Sequence, residues 1–287
     1  MVNKGEIHAL VSLLDDPDPE VLNQVKNRFF SLGIDSIPII ENEFFHFQSE
    51  IHQNRLDAII RQIRLKDIKD GLKRWKLNDS DNLLKGIFLV NKYGVPEITF
   101  QELNNRIDKI RLECWLEMHY DLTSFEKIKI MNHIFFDVFQ FSGKISDYHS
   151  SSNSFLSKVI EDKGGNPVSM AILYSLVAQK LEMPVYGVNL PQHFLLAYTD
   201  PEYSLNDYSS VLFYINPFNK GSVYSRSHID QYLKGLELKS EAKYVEPCSN
   251  LEIIKRVLRN LSYSYELEGN SAQIKEVNQL LDVLNED

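Results

Sequence analysis

Cysteine is scarce in this sequence, since Cys114 and Cys248 are the only two among 287 residues. Two thiols cannot build a disulfide framework, so the composition excludes the disulfide-rich secreted class. The N-terminal segment MVNKGEIHALVSLLDDPDPE has no long apolar stretch, and no continuous apolar run elsewhere is long enough to span a bilayer. We therefore expect a soluble, cytoplasmic protein with no signal peptide and no membrane partner.

The chain also lacks an excess of basic residues. Its 31 lysines and arginines face 40 aspartates and glutamates, which gives a formal net charge of -9. A protein that binds the phosphate backbone needs a basic face, so we expect no nucleic-acid partner. The basic run RQIRLKDIKDGLKRWK, residues 61–76, contains Leu65, Ile68, Leu72 and Trp75 at helical spacing. This pattern favours a solvated helix face above an apolar underside.

Metal and phosphate motifs are missing as well. The 8 histidines show neither the HExxH motif nor the Cys/His spacing of a zinc site. The pair Gly164-Gly165 is not followed by the Gly-Lys-Ser/Thr of a phosphate-binding loop. We expect no metal and no cofactor.

The first half of the sequence is predicted to be almost entirely helical. Residues 7–42 have the pattern of two helices around the turn DDPDPE, with Gly33 as a helix C-cap. Together these features resemble one HEAT-type helical repeat, although a solenoid needs several. A further helix or pair of helices is predicted over residues 51–75, and the next helix ends near Gly94. A long helix is predicted over 100–115, and another runs from Thr123 or Ser124 to Gly143.

The second half mixes helix and strand. A helix is predicted over residues 168–181, followed by the β-type runs VYGVNL, HFLLAYT and SVLFYINPF. Consecutive runs of this kind predict a small antiparallel sheet beside a helix, so we expect an α+β fold. The C-terminal residues are predicted to form a helical hairpin that turns at Gly269-Asn270, with Ser271 as a candidate cap.

One segment, KGGNPVSMAILYSLVAQKLEMPVYGVNLPQHFLLAY, has the layout of a thiol-enzyme core. A thiol nucleophile often stands at a helix N-terminus, where the helix field stabilises the thiolate. A histidine on a neighbouring strand then acts as base, and a carboxylate or amide orients its ring. The sequence supplies His193 and Asn216 for these two roles, but it has no cysteine near the helix start.

These motifs resemble the transglutaminase-like superfamily, whose papain-like core uses Cys, His and Asp or Asn. The segments NSFLSKVIEDKGGNPVSMAILY, GVNLPQHFLLAY and YINPFNKGSV resemble more specifically its bacterial branch named after the invasion regulator SirB. HYDLTSFEKIKIMNHIFF and VLRNLSYSYELEGN match further features of that branch, the second being a tetratricopeptide-like hairpin. The resemblance covers roughly residues 85–285. It implies a transglutaminase-like core over 81–245 and a tetratricopeptide-like hairpin over 246–287. The pattern of the preceding residues predicts a helical, HEAT-like region over 1–80.

The roles of the family's catalytic residues can be transferred to this chain only position by position. Aligning LEMPVYGV with the corresponding family segment places the family cysteine at Pro167, the histidine at His193 and the aspartate at Asn216. Proline has no nucleophile, and it suits the first turn of a helix. Ser169 lies about half a helical turn further on, so its hydroxyl should point away from the thiol position.

The candidate cleft residues are Asn153, Asn166, Pro167, Ser169 and Gln192, beside His193 and Asn216. Each also has a structural interpretation: Asn153 and Asn166 as helix caps, Asn216 as a turn residue, and His193 as a residue of the core or of a pocket wall. Cys114 is interpreted as a small buried hydrophobic residue. Cys248 is a candidate for an accessible thiol without a basic partner nearby in the sequence.

Three functions remain open. The first is a non-catalytic module that binds a protein or peptide partner, because the fold keeps a cleft and helical flanks commonly bind peptides. A eukaryotic F-box protein with a similar domain fits this role by resemblance. The second is a hydrolase or acyltransferase that uses His193 with water or an unidentified nucleophile. The third is a regulator of a transcription or signalling partner, although no basic recognition helix is present.

Overall fold

A computed structural model describes residues 3–44, 50–200 and 211–286. The chain divides into two compact units, Met1–Gly71 and Leu72–Asp287. Each unit is described by itself below.

The first unit is helical. Its helices are α1 (Lys4–Ser12), α2 (Pro19–Leu32), α3 (Ile37–Phe44) and the part of α4 (Glu50–Asn78) up to Gly71. Asp18 caps α2 by accepting a hydrogen bond from the Glu20 backbone N–H at 2.8 Å, and Pro19 occupies its first turn. Gly33 ends the helix with a φ of 69°.

Residues 7–42 contain three α-helices where two were predicted. A 3₁₀ turn over Ile34–Ser36 redirects the chain after Gly33, and α3 then begins at Ile37. Pro38 fits in this helix because the first-turn N–H groups have no intrahelical partner to lose. The apolar side chains of α1 to α4 form one buried cluster, which includes Val11, Phe29 and Ile59.

The second unit begins with the end of α4 and continues with helices. These are α5 (Leu83–Gly94), α6 (Phe100–Glu117), α7 (Ser124–Asn132), α8 (Leu156–Glu161), α9 (Pro167–Lys180), α10 (Arg226–Gly235), α11 (Ala242–Val245), α12 (Asn250–Leu267) and α13 (Ser271–Asn285). The predicted apolar underside of residues 61–76 is confirmed, because Leu65, Ile68, Leu72 and Trp75 are all buried. Thr123 caps α7 in a capping box with Glu126, as the sequence indicated.

The helix predicted to run to Gly143 ends earlier. α7 passes at His133 into a stretch of π-helix, His133–Val138. The wider turn accompanies an aromatic cluster, in which the ring of Phe135 lies 4.8 Å from that of Tyr174. Gly143 instead belongs to a two-residue strand, β1 (Ser142–Gly143), that pairs in parallel with β2 (Gly164–Gly165).

A four-stranded antiparallel sheet follows α9. Its strands are β3 (Val185–Val188), β4 (Leu195–Thr199), β5 (Val211–Asn216) and β6 (Ser222–Tyr224), in that spatial order. The three predicted β-runs correspond to β3, β4 and β5, whereas β6 was not predicted; Ser210, where the third run begins, lies outside the described residues. The predicted α+β fold, with a helix packed on a small antiparallel sheet, is confirmed.

Helix α9 lies at the centre of this unit. Every residue from Pro167 to Ala178 is buried, and the helix contacts β3, β4, α6 and α12. A helix that is apolar all round needs such a position, because no side of it can face water at low cost. The opposite face of the sheet packs on α10 and α11 through Leu195, Tyr214, Leu233 and Val245.

The C-terminal hairpin is confirmed as helical, with α12 and α13 packed together. Gly269 has a φ of 73° at the turn, as expected of a residue that ends a helix. The cap of α13 is Asn270, because α13 already begins at Ser271. Among the described residues no helix is long and apolar enough to cross a bilayer.

Candidate functional site

The start of α9 is fixed by a reciprocal pair of hydrogen bonds. The side-chain oxygen of Asn166 accepts from the Ser169 backbone N–H at 3.0 Å, and Ser169 Oγ accepts from the Asn166 N–H at 3.1 Å. Pro167 occupies the first helical position, where its missing N–H costs nothing. Ser169 is therefore a buried capping residue.

His193 stands on the other side of the same region. It lies two residues before β4, in a turn where its backbone N–H donates to the Leu190 carbonyl at 3.1 Å. Its exposed ring meets the ring of Tyr232 edge-on, with 5.3 Å between centroids. The Tyr232 hydroxyl donates to the Pro191 carbonyl at 3.0 Å, so α10 holds the turn that carries the histidine.

Both positions border one cavity of about 170 Å³. One part of its wall comes from the start of α9 and from the turn before β4: Asn166, Pro167, Val168, Gln192, His193 and Phe194. The loop residues Tyr148 and His149 form a second part. The third part comes from α12: Arg256, Asn260, Tyr263 and Ser264.

Asn216 forms no hydrogen bond with His193. Its side-chain oxygen accepts from the Asn219 N–H at 3.3 Å, at the start of a 3₁₀ turn over Pro217–Asn219. The ring of His193 makes no hydrogen bond to any residue that the structure describes. The structure thus brings Pro167 and His193 to one cavity and leaves the Asn216 side chain in its own turn.

Asn153 supports the cavity without lining it. It is 1% exposed, and its side-chain nitrogen donates to the backbone carbonyls of Asp147 at 2.6 Å and Tyr148 at 3.3 Å. These bonds position the loop that carries Tyr148 and His149. The ring of His149 in turn lies 5.3 Å from that of Tyr263, which joins the loop to α12.

The wall contributed by α12 was missed in the sequence analysis. Arg256, Asn260, Tyr263 and Ser264 are spaced by four, seven and eight residues, which places them on one face of a helix. A signal was present in RVLRNLSYS, residues 256–264, where polar side chains and Tyr263 recur at helical period beside the apolar stripe of this helix. From the sequence alone, this segment indicates only the packing of a helical hairpin.

Arg256 is the cationic residue of the cavity wall. It is partly buried, and its guanidinium donates to the side-chain oxygen of Asn189 at 2.9 Å. Loss of water around it, with a smaller effect from Arg259, lowers its pKa from the usual value. Among the residues that the structure describes, no carboxylate lies in this wall.

Neither thiol belongs to the cavity. Cys114 is fully buried on α6, as the sequence indicated, and burial raises its pKa to about 12. Cys248 is partly exposed, and desolvation raises its pKa to about 12 as well. A thiol with so high a pKa is almost entirely protonated at neutral pH and is a poor nucleophile. Among the described residues there is no group of three or more His, Cys, Asp or Glu side chains that could hold a metal ion.

Comparisons with known proteins agree with this architecture. A family model described as "Transglutaminase-like superfamily" matches residues 101–259, which is more than half of the chain. The chain therefore belongs to the transglutaminase-like superfamily. The match includes α9, the sheet and the part of α12 that carries Arg256.

Curated relatives share modest identity with the chain. A UPF0162 protein of Vibrio cholerae is 27% identical over 183 residues, which cover 63% of this chain and 65% of the relative. The UPF0162 protein YchA of Escherichia coli is 26% identical over 195 residues, covering 67% and 69%. Human F-box only protein 21 is 27% identical over 189 residues, covering 57% of this chain and 30% of that protein. The chain thus spans less than two thirds of the length of the first and third of these relatives. No solved structure gives a significant match.

Proposed function

We propose that this chain is a non-catalytic member of the superfamily whose cavity binds a protein or peptide segment. The observation that carries the proposal is that Pro167 and His193 border one cavity while neither thiol lies there. Pro167 stands at the position that a nucleophilic cysteine occupies in active relatives of this type. Two of the three catalytic positions are retained, at His193 and Asn216, without the group that they would serve.

Proline at the helix start removes two chemical groups together. It has no nucleophilic side chain, and it has no backbone N–H to stabilise a developing oxyanion at that point. Ser169 is no substitute, because its hydroxyl oxygen accepts the Asn166 N–H within the cap. The cavity keeps a shape in which a chain segment could lie but lacks the parts needed for acyl transfer.

The finer family assignment is part of the same proposal. We place the chain in the SirB-type branch, with a HEAT-like region over residues 1–80, a core over 81–245 and a tetratricopeptide-like hairpin over 246–287. The hairpin supports a binding role, because α12 contributes one wall of the cavity. We further propose that the protein acts in the cytoplasm, without nucleic-acid or membrane partners.

The alternative is a hydrolase or acyltransferase that uses His193. It is favoured by the exposure of the His193 ring and by its lack of a hydrogen bond to any described residue, which leaves the ring free to accept a proton from water. A histidine acts as a general base only in its neutral form, so this function requires an unprotonated ring. The side chain of Asn216, held in its own turn, would not orient the ring.

A paired binding and turnover experiment separates the two functions. Peptides selected for binding to the wild-type chain are incubated with it, with His193→Ala and with His119→Ala, and the peptide is analysed by mass spectrometry. His119 is an exposed histidine outside the cavity and serves as the matched control. We expect the peptide to be recovered unchanged in all three samples and to bind more weakly to His193→Ala alone. Cleavage or modification that requires His193 would establish the enzyme instead.

A further inference from the structure

Arg256 is not paired with the acidic residue one turn earlier on its helix, because that residue pairs with other partners. Glu252 lies one turn earlier on α12, in the position from which a carboxylate commonly pairs with an arginine. Its carboxylate lies 3.2 Å from Lys255 Nζ and 4.0 Å from Arg259 Nη1. In the described part of the chain, Arg256 forms no ion pair, and its hydrogen-bond partner is the neutral amide of Asn189.

The rest of the cavity wall supplies donors and no competing anion. His149, His193 and Asn260 border the same space, and the described residues of the wall include neither aspartate nor glutamate. This is unusual in a chain whose acidic residues outnumber its basic ones by 40 to 31. A partly desolvated guanidinium without a counter-ion is costly, and an incoming anion relieves that cost.

We propose that the cavity binds a carboxylate group of its peptide ligand, with the guanidinium of Arg256 as the principal contact. A guanidinium presents a planar fork of N–H donors that matches the two oxygens of a carboxylate. The bond to Asn189 fixes one edge of the fork and so orients the remaining donors. The inference rests on the proposed binding function and names the chemistry that the cavity recognises.

The carboxylate could come from a peptide C-terminus or from an acidic side chain, and matched probes distinguish these sources. The first pair is N-acetyl-alanine and its amide, and the second is N-acetyl-glutamate amide and N-acetyl-glutamine amide. Each probe, and inorganic phosphate, is titrated into the isotope-labelled full chain while the Arg256 Nε–H resonance is followed by NMR. We expect a saturable shift with at least one acid and none with its uncharged partner.

The variants assign the effect to one side chain. Arg256→Gln should weaken binding of the acid roughly tenfold or more, because a hydrogen-bonded charge is lost. Arg256→Lys keeps the charge but loses the fork and should weaken it less. Arg259→Gln is the matched control, since it removes the same charge from the same helix at a residue outside the cavity wall that is 51% exposed. Spectra of each free variant verify that it is folded.

Several outcomes would overturn the proposal. They are no saturable shift with either acid, equal shifts with acid and amide, binding of phosphate alone, or equal weakening by Arg256→Gln and Arg259→Gln. Because binding is measured at equilibrium, this result is independent of turnover. If a selected peptide binds equally well with its carboxylates blocked, the carboxylate inference fails while the proposed binding function stands. If His193-dependent turnover is found, the binding function fails while a carboxylate contact can still be measured.

Discussion

Pro167 at the start of α9 and His193 before β4 line the same cavity, although the whole of α9 and β3 separates them in the chain. The fold brings the two residues close together, because α9 packs on β3 and β4. A thiol placed at the first position would lie at a helix N-terminus, beside a wall that carries a histidine. The chain has proline there, and the predictions below follow from the consequences of that residue and of the surrounding packing.

The cap of α9 is predicted to be structural. Ser169→Ala removes the acceptor of the Asn166 N–H and should lower the free energy of unfolding by about 1 kcal/mol. Peptide binding should be unchanged, because Ser169 does not line the cavity. Urea unfolding and a binding titration measure the two effects. A loss of binding in a folded variant would mean that the hydroxyl serves the ligand.

Gly221 is predicted to be far less tolerant of substitution than Gly269 or Gly235. It has a φ of +67°, and an added Cβ would lie 1.9 Å from Asn132 Oδ1. Asn132 donates to the Gly221 carbonyl at 3.0 Å and accepts from the Tyr174 hydroxyl at 2.9 Å, so the clash would disturb both bonds. Gly221→Ala should lower the free energy of unfolding by about 3 kcal/mol.

Substitutions at two other glycines distinguish the steric clash from the backbone strain. Gly269 has a φ of +73° but open space around it, so Gly269→Ala should cost only about 1 kcal/mol from backbone strain. Gly235 has open space and no positive φ, so Gly235→Ala should be neutral or slightly stabilising. Equal effects at Gly221 and Gly269 would show that the contact with Asn132 is unimportant.

Alkaline pH is predicted to destabilise the fold through the buried thiol of Cys114. Burial raises the pKa of Cys114 to about 12, from 9.0 for an ordinary thiol. Between these two pKa values the unfolded chain loses the thiol proton while the folded chain retains it. The stability that the protonated thiol contributes is therefore fully present below pH 9 and is lost as pH rises toward 12. Tyr174, whose pKa burial also raises, adds to the loss.

The urea midpoint should therefore fall between pH 8 and pH 10.5, and it should fall less steeply in Cys114→Ala than in the wild type. The comparison of slopes is the test, because Cys114→Ala also lowers stability at every pH by leaving a small cavity. Identical slopes would show that Cys114 titrates normally in the folded chain.

The sequence predicted the fold well where local signals and packing agree. Asp18, Gly33 and Thr123 cap helices because their side chains or backbone angles suit those positions, and α9 is buried because it is apolar all round. The π-helical stretch and β1 were missed, since both depend on tertiary contacts such as the packing of Phe135 on Tyr174.

The site was predicted less completely than the fold. Asn166, Pro167, Gln192 and His193 border one cavity, and their assignment to a functional site stays a prediction. The role of Arg256 depends on a contact between α12 and the core that no local pattern specifies. The direction of the Asn216 side chain also depended on a competing local bond to the Asn219 N–H.

Thiol reactivity of the Pro167→Cys variant tests the central claim most directly. The variant, its His193→Ala double mutant and a surface control, Leu267→Cys, are treated with iodoacetamide at neutral pH and followed by intact-mass spectrometry. Leu267 is 55% exposed, and the wild-type thiols should react slowly because of their high pKa. We predict that Pro167→Cys reacts faster than Leu267→Cys and that the advantage disappears with His193→Ala. A rate equal to that of the surface control, or one independent of His193, would contradict the assignment of Pro167 to the nucleophile position.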